Sequence, residues 1–177
     1  MLPNHFTTTD TEPFYIDGQT IHISKSTVTF DKWAGDPVKE TFGGKPVLNV
    51  SGKPMFAELA IMTHFQNDGW QARWVETYGK TQPIFLTAWI DDKYINQVNV
   101  PFADNKITQL LADIATLNNN SYSGCWDVVA SKGDNLIFAE SKRSKKDSIR
   151  STQVNWLSAA LKYGLQADNF LVVQWDM

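Results

Sequence analysis

The chain has 177 residues, 42% of them hydrophobic, 12% aromatic and 20% charged, with a formal net charge of −3. That length suffices for one domain, or a domain with an extension, built on a substantial core. Its single cysteine, Cys125, excludes an internal disulfide and a cysteine-based zinc site and fits a reducing cytoplasm, the expected location.

Residues 1–10 are polar and lack the apolar stretch of a secretion signal, and no run approaches the length of a membrane span, so no membrane partner is expected. Asn49-Val50-Ser51 and Asn119-Asn120-Ser121 match the glycosylation acceptor pattern but carry no weight without such a signal.

In chain order, residues 13–54 read as β-rich. Phe14-Tyr15-Ile16 and Thr20-Ile21-His22-Ile23 flank Asp17-Gly18, a two-residue hairpin signal, and residues 27–30 suggest a further strand. A second hairpin is expected to join residues 38–42 to residues 45–50 through Gly43-Gly44. His5, His22 and His64 have no metal-ligand spacing and read as structural or surface residues. Residues 55–68 turn helical, with Pro54 near the start and Gly69 just past the end. Ile61, Met62 and Phe65 follow Glu58 by three, four and seven positions, so the inward stripe is centred on Glu58 itself. Burying a lone charge is costly, so Glu58 is either paired at the helix end or aimed at a metal or substrate.

Residues 70–77 and 83–90 read as strands, the second closed by Asp91-Asp92. Ile107, Leu110, Leu111, Ile114 and Leu117 recur at helical spacing. A polar loop, residues 118–124, then delivers the chain to two short apolar runs around Gly133-Asp134, a Gly-first hairpin turn. If Lys132 faces Asn135, Val129 stands opposite Phe138 and Asp127 opposite Glu140. Side chains alternate along a strand, so Leu136, Phe138, Glu140 and Lys142 share one face. Trp126, Val128, Ile137 and Ala139 take the other, as in a sheet covered on both sides, and Cys125 beside them reads as core. After the hairpin, Asp147 or Ser148 can cap a helix that reaches Tyr163, with Gly164 as its stop. Its inward stripe is Ile149, Gln153, Trp156, Ala160 and Tyr163, with Gln153 its polar member. Residues 170–175 form a last strand. Most of the seven tryptophans are expected in the core.

Residues 132–150 hold six basic residues, Lys132, Lys142, Arg143, Lys145, Lys146 and Arg150, against Asp134, Glu140 and Asp147, a local +3 in a chain of net −3. Such a run is either a solvated helix entrance or a patch that faces phosphates. Two carboxylates meeting across a hairpin suit a hard divalent cation, because acids this close repel unless a cation or proton intervenes. Lys142, on the same face, could contact an attacking water or a phosphate oxygen. Metal-assisted phosphodiester hydrolysis needs those parts: a Lewis acid, an activated water and positive charge near the developing phosphorane.

The order of an acid on a first helix, Asp on a strand, Glu-x-Lys on the next strand and Gln on the following helix resembles the PD-(D/E)xK nuclease superfamily. Glu140-Ser141-Lys142, then Gln153-Val154-Asn155-Trp156-Leu157, with Gly69-Trp70 after the first helix, is most similar to its VRR-NUC and Holliday-junction-resolvase-like branches. The likeness covers residues 55–80 and 122–177. It implies an α/β restriction-endonuclease-like core (αβββαβ), with a central mixed sheet flanked by helices. Residues 1–54 would be a β-rich extension packed on a core of residues 55–177, which carries an insertion at about residues 83–120. It further implies that Asp127, Glu140, the Ser141 backbone carbonyl and Glu58 bind Mg²⁺ or Mn²⁺. Lys142 would position or activate water, and Gln153 would orient the site. Arg143, Lys145, Lys146 and Arg150 would contact nucleic-acid phosphates. Trp126 stands where proline often precedes the aspartate, a position with no required chemistry.

The expected activity is a metal-dependent endonuclease acting on DNA, and duplex cutting by a single-site fold suggests a homodimer. An alternative is a catalytically inactive nuclease-fold subunit that acts through a protein partner held by the N-terminal extension. The plainest alternative is a charged strand end with Asp127 paired to Arg143.

Overall fold

A computed structural model of the chain describes residues 2–77 and 82–177. Among these residues the fold is mixed α/β: a seven-stranded sheet, a small three-stranded sheet and three α-helices. The strands are β1 (Thr8–Ile16), β2 (Gln19–Thr29), β3 (Asp31–Lys32), β4 (Leu48–Val50), β5 (Lys53–Met55), β6 (Gln71–Glu76), β7 (Ile84–Leu86), β8 (Val128–Lys132), β9 (Asn135–Arg143) and β10 (Phe170–Asp176). The helices are α1 (Ala57–Asn67), α2 (Asn105–Leu117) and α3 (Ser151–Tyr163).

The large sheet runs β1-β2-β10-β9-β8-β6-β7, and β10 pairs in parallel with both β2 and β9. The other pairings are antiparallel. Elements α1, β6, β8, β9, α3 and β10 follow in the predicted order, with β7 and α2 between β6 and β8. The N-terminal region does not merely pack on this core. Its hairpin β1-β2 extends the same sheet through β10, and the strand expected at residues 27–30 is the far end of β2.

Alternation along the strands splits the core in two, as a sheet covered on both sides requires. On one face Trp74, Val128, Ala130, Ile137, Ala139 and Val173 pack with Leu59, Ile61, Met62 and Phe65 of α1. On the other, Val75, Val129, Phe138 and Val172 pack with Leu111 and Ile114 of α2 and Trp156, Leu157 and Ala160 of α3. Five tryptophans (Trp70, Trp74, Trp126, Trp156 and Trp175) and Cys125 are buried, as expected of core residues. His64 stacks on Phe30 at 5.9 Å and meets His5 in a tilted contact at 4.4 Å, a structural role of the kind predicted. Among the described residues, no helix is long and apolar enough to cross a membrane.

Five local expectations need correction. Trp126, expected on the face of Val128, Ile137 and Ala139, packs on the opposite one against Phe14 and Phe170, because the regular ladder ends at Val128 and strand alternation does not extend to it. Residues 38–50 do not form a hairpin: Phe42, Gly43 and Gly44 all have positive φ (47°, 77° and 82°), a three-residue left-handed run that a two-residue turn does not contain. Instead β4 pairs with β3 and β5. The helix α3 is entered from Arg150, because Asp147 is already committed to the Arg143 N–H at 2.9 Å. Tyr163, assigned to the inward stripe, is 41% exposed at the helix end. The strand of residues 83–90 shrinks to β7, because the Phe85 N–H bonds the Asn99 side chain and the segment beyond curls against Gln97.

Candidate metal and phosphate site

The β8-β9 hairpin keeps the predicted register: Lys132 faces Asn135 and Val129 faces Phe138. Gly133 supplies the left-handed corner, at φ +57°, that a Gly-first turn demands. The ladder ends at Val128 opposite Ala139, one residue short of Asp127. Beyond it the Asp127 carbonyl accepts from Val75 N at 2.8 Å, and Oδ2 accepts from Ser141 N at 2.9 Å. Asp127 is therefore held by the backbone of β6 on one side and of β9 on the other. The alternative pairing with Arg143 is not formed: that guanidinium lies over the Trp175 ring, 5.6 Å from its centroid.

A cavity of about 640 Å³ opens at this end of the sheet. Of the predicted site residues, Glu58, Asp127, Glu140, Ser141, Lys142, Arg143, Lys146, Arg150 and Gln153 line it. Lys145 is exposed and outside the lining, turned away at a left-handed corner (φ 58°).

Within the cavity three side chains interlock. Glu140 is 1% exposed and Lys142 8%. Lys142 Nζ donates to Gln153 Oε1 at 3.0 Å and lies 3.2 Å from Glu140 Oε1, while Gln153 Nε2 donates to that same carboxylate oxygen. Gln153 Oε1 also accepts from the Arg150 N–H at 2.8 Å, the reach-back half of a capping box. One amide thus caps α3 and orients the acid and the lysine of β9. The other carboxylate oxygen, Glu140 Oε2, is buried without a hydrogen-bond partner. A buried, unpaired carboxylate oxygen is costly to leave unmet and marks a place for a cation or a proton.

Two further residues belong to the cavity although nothing in the sequence pattern singled them out. Lys45, delivered by the left-handed Gly43-Gly44 loop, forms an ion pair with Glu58 Oε1 and sits 5.4 Å from the Trp74 ring centroid. Glu76 ends β6 and accepts from Thr77 N at 2.9 Å. Its signal was available in part: it lies two positions after the inward Trp74 on the same strand. Lys45 had only the adjacent glycines to mark it.

The electrostatics follow from four acids crowded at the end of a sheet. Burial pushes Asp127 up to about 6, reinforced by the charge of Glu58 and opposed by Lys45. Burial and then Asp127 push Glu76 up to about 7. Glu140 is pushed well above the ordinary carboxylate range by burial first and Asp127 second, despite Lys142. These shifts describe carboxylates held away from water and close to one another.

The donor set, carboxylates beside a backbone carbonyl, suits a hard cation, and the unmet Glu140 Oε2 supplies a vacant ligand atom. Among the described residues, no three such side chains already converge tightly enough to hold an ion. Glu140 and Glu58 are each turned toward a lysine. No family model, curated protein or solved structure matches the chain.

Proposed function

We propose that the chain is a metal-dependent nuclease of the PD-(D/E)xK kind, with a restriction-endonuclease-like core, hydrolysing phosphodiester bonds of DNA. The observation that carries this reading is the convergence of Asp127, Glu140, Lys142 and Gln153 on one cavity, with an unpartnered Glu140 oxygen inside it and Lys146 and Arg150 in its lining. Asp127, Glu140, the Ser141 carbonyl and Glu58 are the residues that would hold Mg²⁺ or Mn²⁺. The bound ion would supply Lewis-acid polarisation of the scissile phosphate. Lys142 holds a fixed positive charge where charge develops on the phosphate oxygens, and its bond to Gln153 keeps it there. Arg150 and Lys146 meet the flanking phosphates, which positions the strand without reading its sequence.

Incubating supercoiled plasmid, single-stranded DNA and RNA with Mg²⁺ or Mn²⁺ tests the assignment. Glu140→Ala and Lys142→Ala should abolish cleavage while circular dichroism stays native; cleavage retained in both variants would overturn it. A second reading, a nuclease-fold subunit without catalysis, draws support from the lysine partners already closed on Glu140 and Glu58. A calorimetric titration without Mg²⁺ or Mn²⁺ uptake at millimolar concentration would favour that subunit.

A further inference from the structure

Lys45 lies outside every segment that resembles a nuclease, yet it lines the acidic cavity. It bonds Glu58 Oε1, and the Trp74 and Phe42 rings lie 5.4 and 5.9 Å away. The cavity lining holds five carboxylates, Glu58, Glu76, Asp127, Glu140 and Asp147, and two of its lysines make ion pairs with them, Lys45 with Glu58 and Lys142 with Glu140. Glu140 Oε2, the oxygen without a partner, belongs to the acid of β9, whereas Oε1 of Glu58 is already met by Lys45.

We infer that Lys45 is a tethered cation that makes this a one-ion site, occupying beside Glu58 the place a second divalent ion would otherwise take. The inference rests on the metal-dependent reading above and deepens it. Like charges close together in a partly dry cavity repel strongly, so a lysine at Glu58 disfavours another ion there, and the aromatic rings hold the ammonium in place. A mobile surface lysine could not do this. The loop that carries Lys45 is pinned by its own N–H to the Thr41 carbonyl at 2.9 Å.

Calorimetric titration of the metal-free protein with Mn²⁺ tests this without measuring cleavage. The native chain should bind one ion, Lys45→Arg should also bind one, and Lys45→Met should bind two or hold the first at least about tenfold more tightly. The same stoichiometry and affinity in Lys45→Met, or two ions in the native chain, would overturn the inference while leaving the metal site standing. No ion in the native chain but one in Lys45→Met would also overturn it. No ion in either protein would instead remove the metal-dependent reading. If Lys45→Met does not fold, the comparison passes to Glu58→Gln, which should weaken Mn²⁺ by more than about tenfold because a carboxylate is lost and the freed ammonium repels the ion, and to Lys45→Met/Glu58→Gln, which should bind at least about tenfold more tightly than Glu58→Gln. Equal affinity in those two variants would overturn the inference.

Discussion

Asp127→Asn should stabilise the metal-free protein above neutral pH and destroy its response to metal. The substitution keeps an oxygen to accept from Ser141 N, now 2.9 Å from Oδ2, and removes only the charge. Folding raises Asp127 from 3.8 to about 6. At 1.36 kcal/mol for each pH unit, that difference is about 3 kcal/mol, an upper figure because the asparagine amide must find its own partners. An acid raised by folding contributes stability that is complete below its unfolded value and is lost as pH climbs through its folded value. The native chain in chelator should therefore weaken between about pH 4 and about pH 7, and Asp127→Asn should lack that share of the loss. Urea denaturation followed by tryptophan fluorescence would show the variant ahead by about 1–3 kcal/mol near pH 8 and level with the native chain near pH 4. Millimolar Mg²⁺ should then raise the native chain's midpoint and leave the variant's almost unmoved. A variant less stable than the native chain near pH 8, or a difference independent of pH, would refute the reasoning.

Gly124 has φ +84°, and a Cβ there would lie 2.0 Å from the Thr152 carbonyl oxygen at the start of α3. Gly124→Ala should cost more than about 2 kcal/mol in urea melts, since left-handed strain and a backbone clash add together. Cys125 is buried and its thiol is pushed up by that burial, then by the charge of Glu140. Native protein should resist Ellman's reagent for hours and react promptly once unfolded, as thiolate and access are both required. Arg150→Ala should weaken DNA binding equally across sequences and reduce the slope of log affinity against log salt by about 0.9. A change in sequence preference would point to base reading instead.

Much of the site was legible because it depends on local periodicity. A Gly-first turn sets the register of β8 and β9, period two then puts Glu140 and Lys142 on one face, and helical phase turns Glu58 and Gln153 inward. The residues that escaped depend on chain paths without a local code. Lys45 enters through three successive left-handed residues, of which Phe42 is the unexpected one. Glu76 matters only because β6 lies beside β8, a pairing between segments nearly sixty residues apart. The joining of the N-terminal hairpin to the sheet was equally hidden: Ser24 to Thr29 pair in parallel with Leu171 to Asp176, and alternating apolar residues do not say which distant strand they will meet.

That last pairing also sets an order of events in biosynthesis. The hairpin β1-β2 is made well before β10, the strand that, among the described residues, joins it to the rest of the sheet. A nascent chain thus carries a two-stranded ribbon with an open edge while some 140 residues are added, and such ribbons alone are barely stable in water. Insertion of β10 between β2 and β9 covers the inner edges of both in one step, so the same strand that joins the two halves of the sheet removes two of the edges exposed to aggregation.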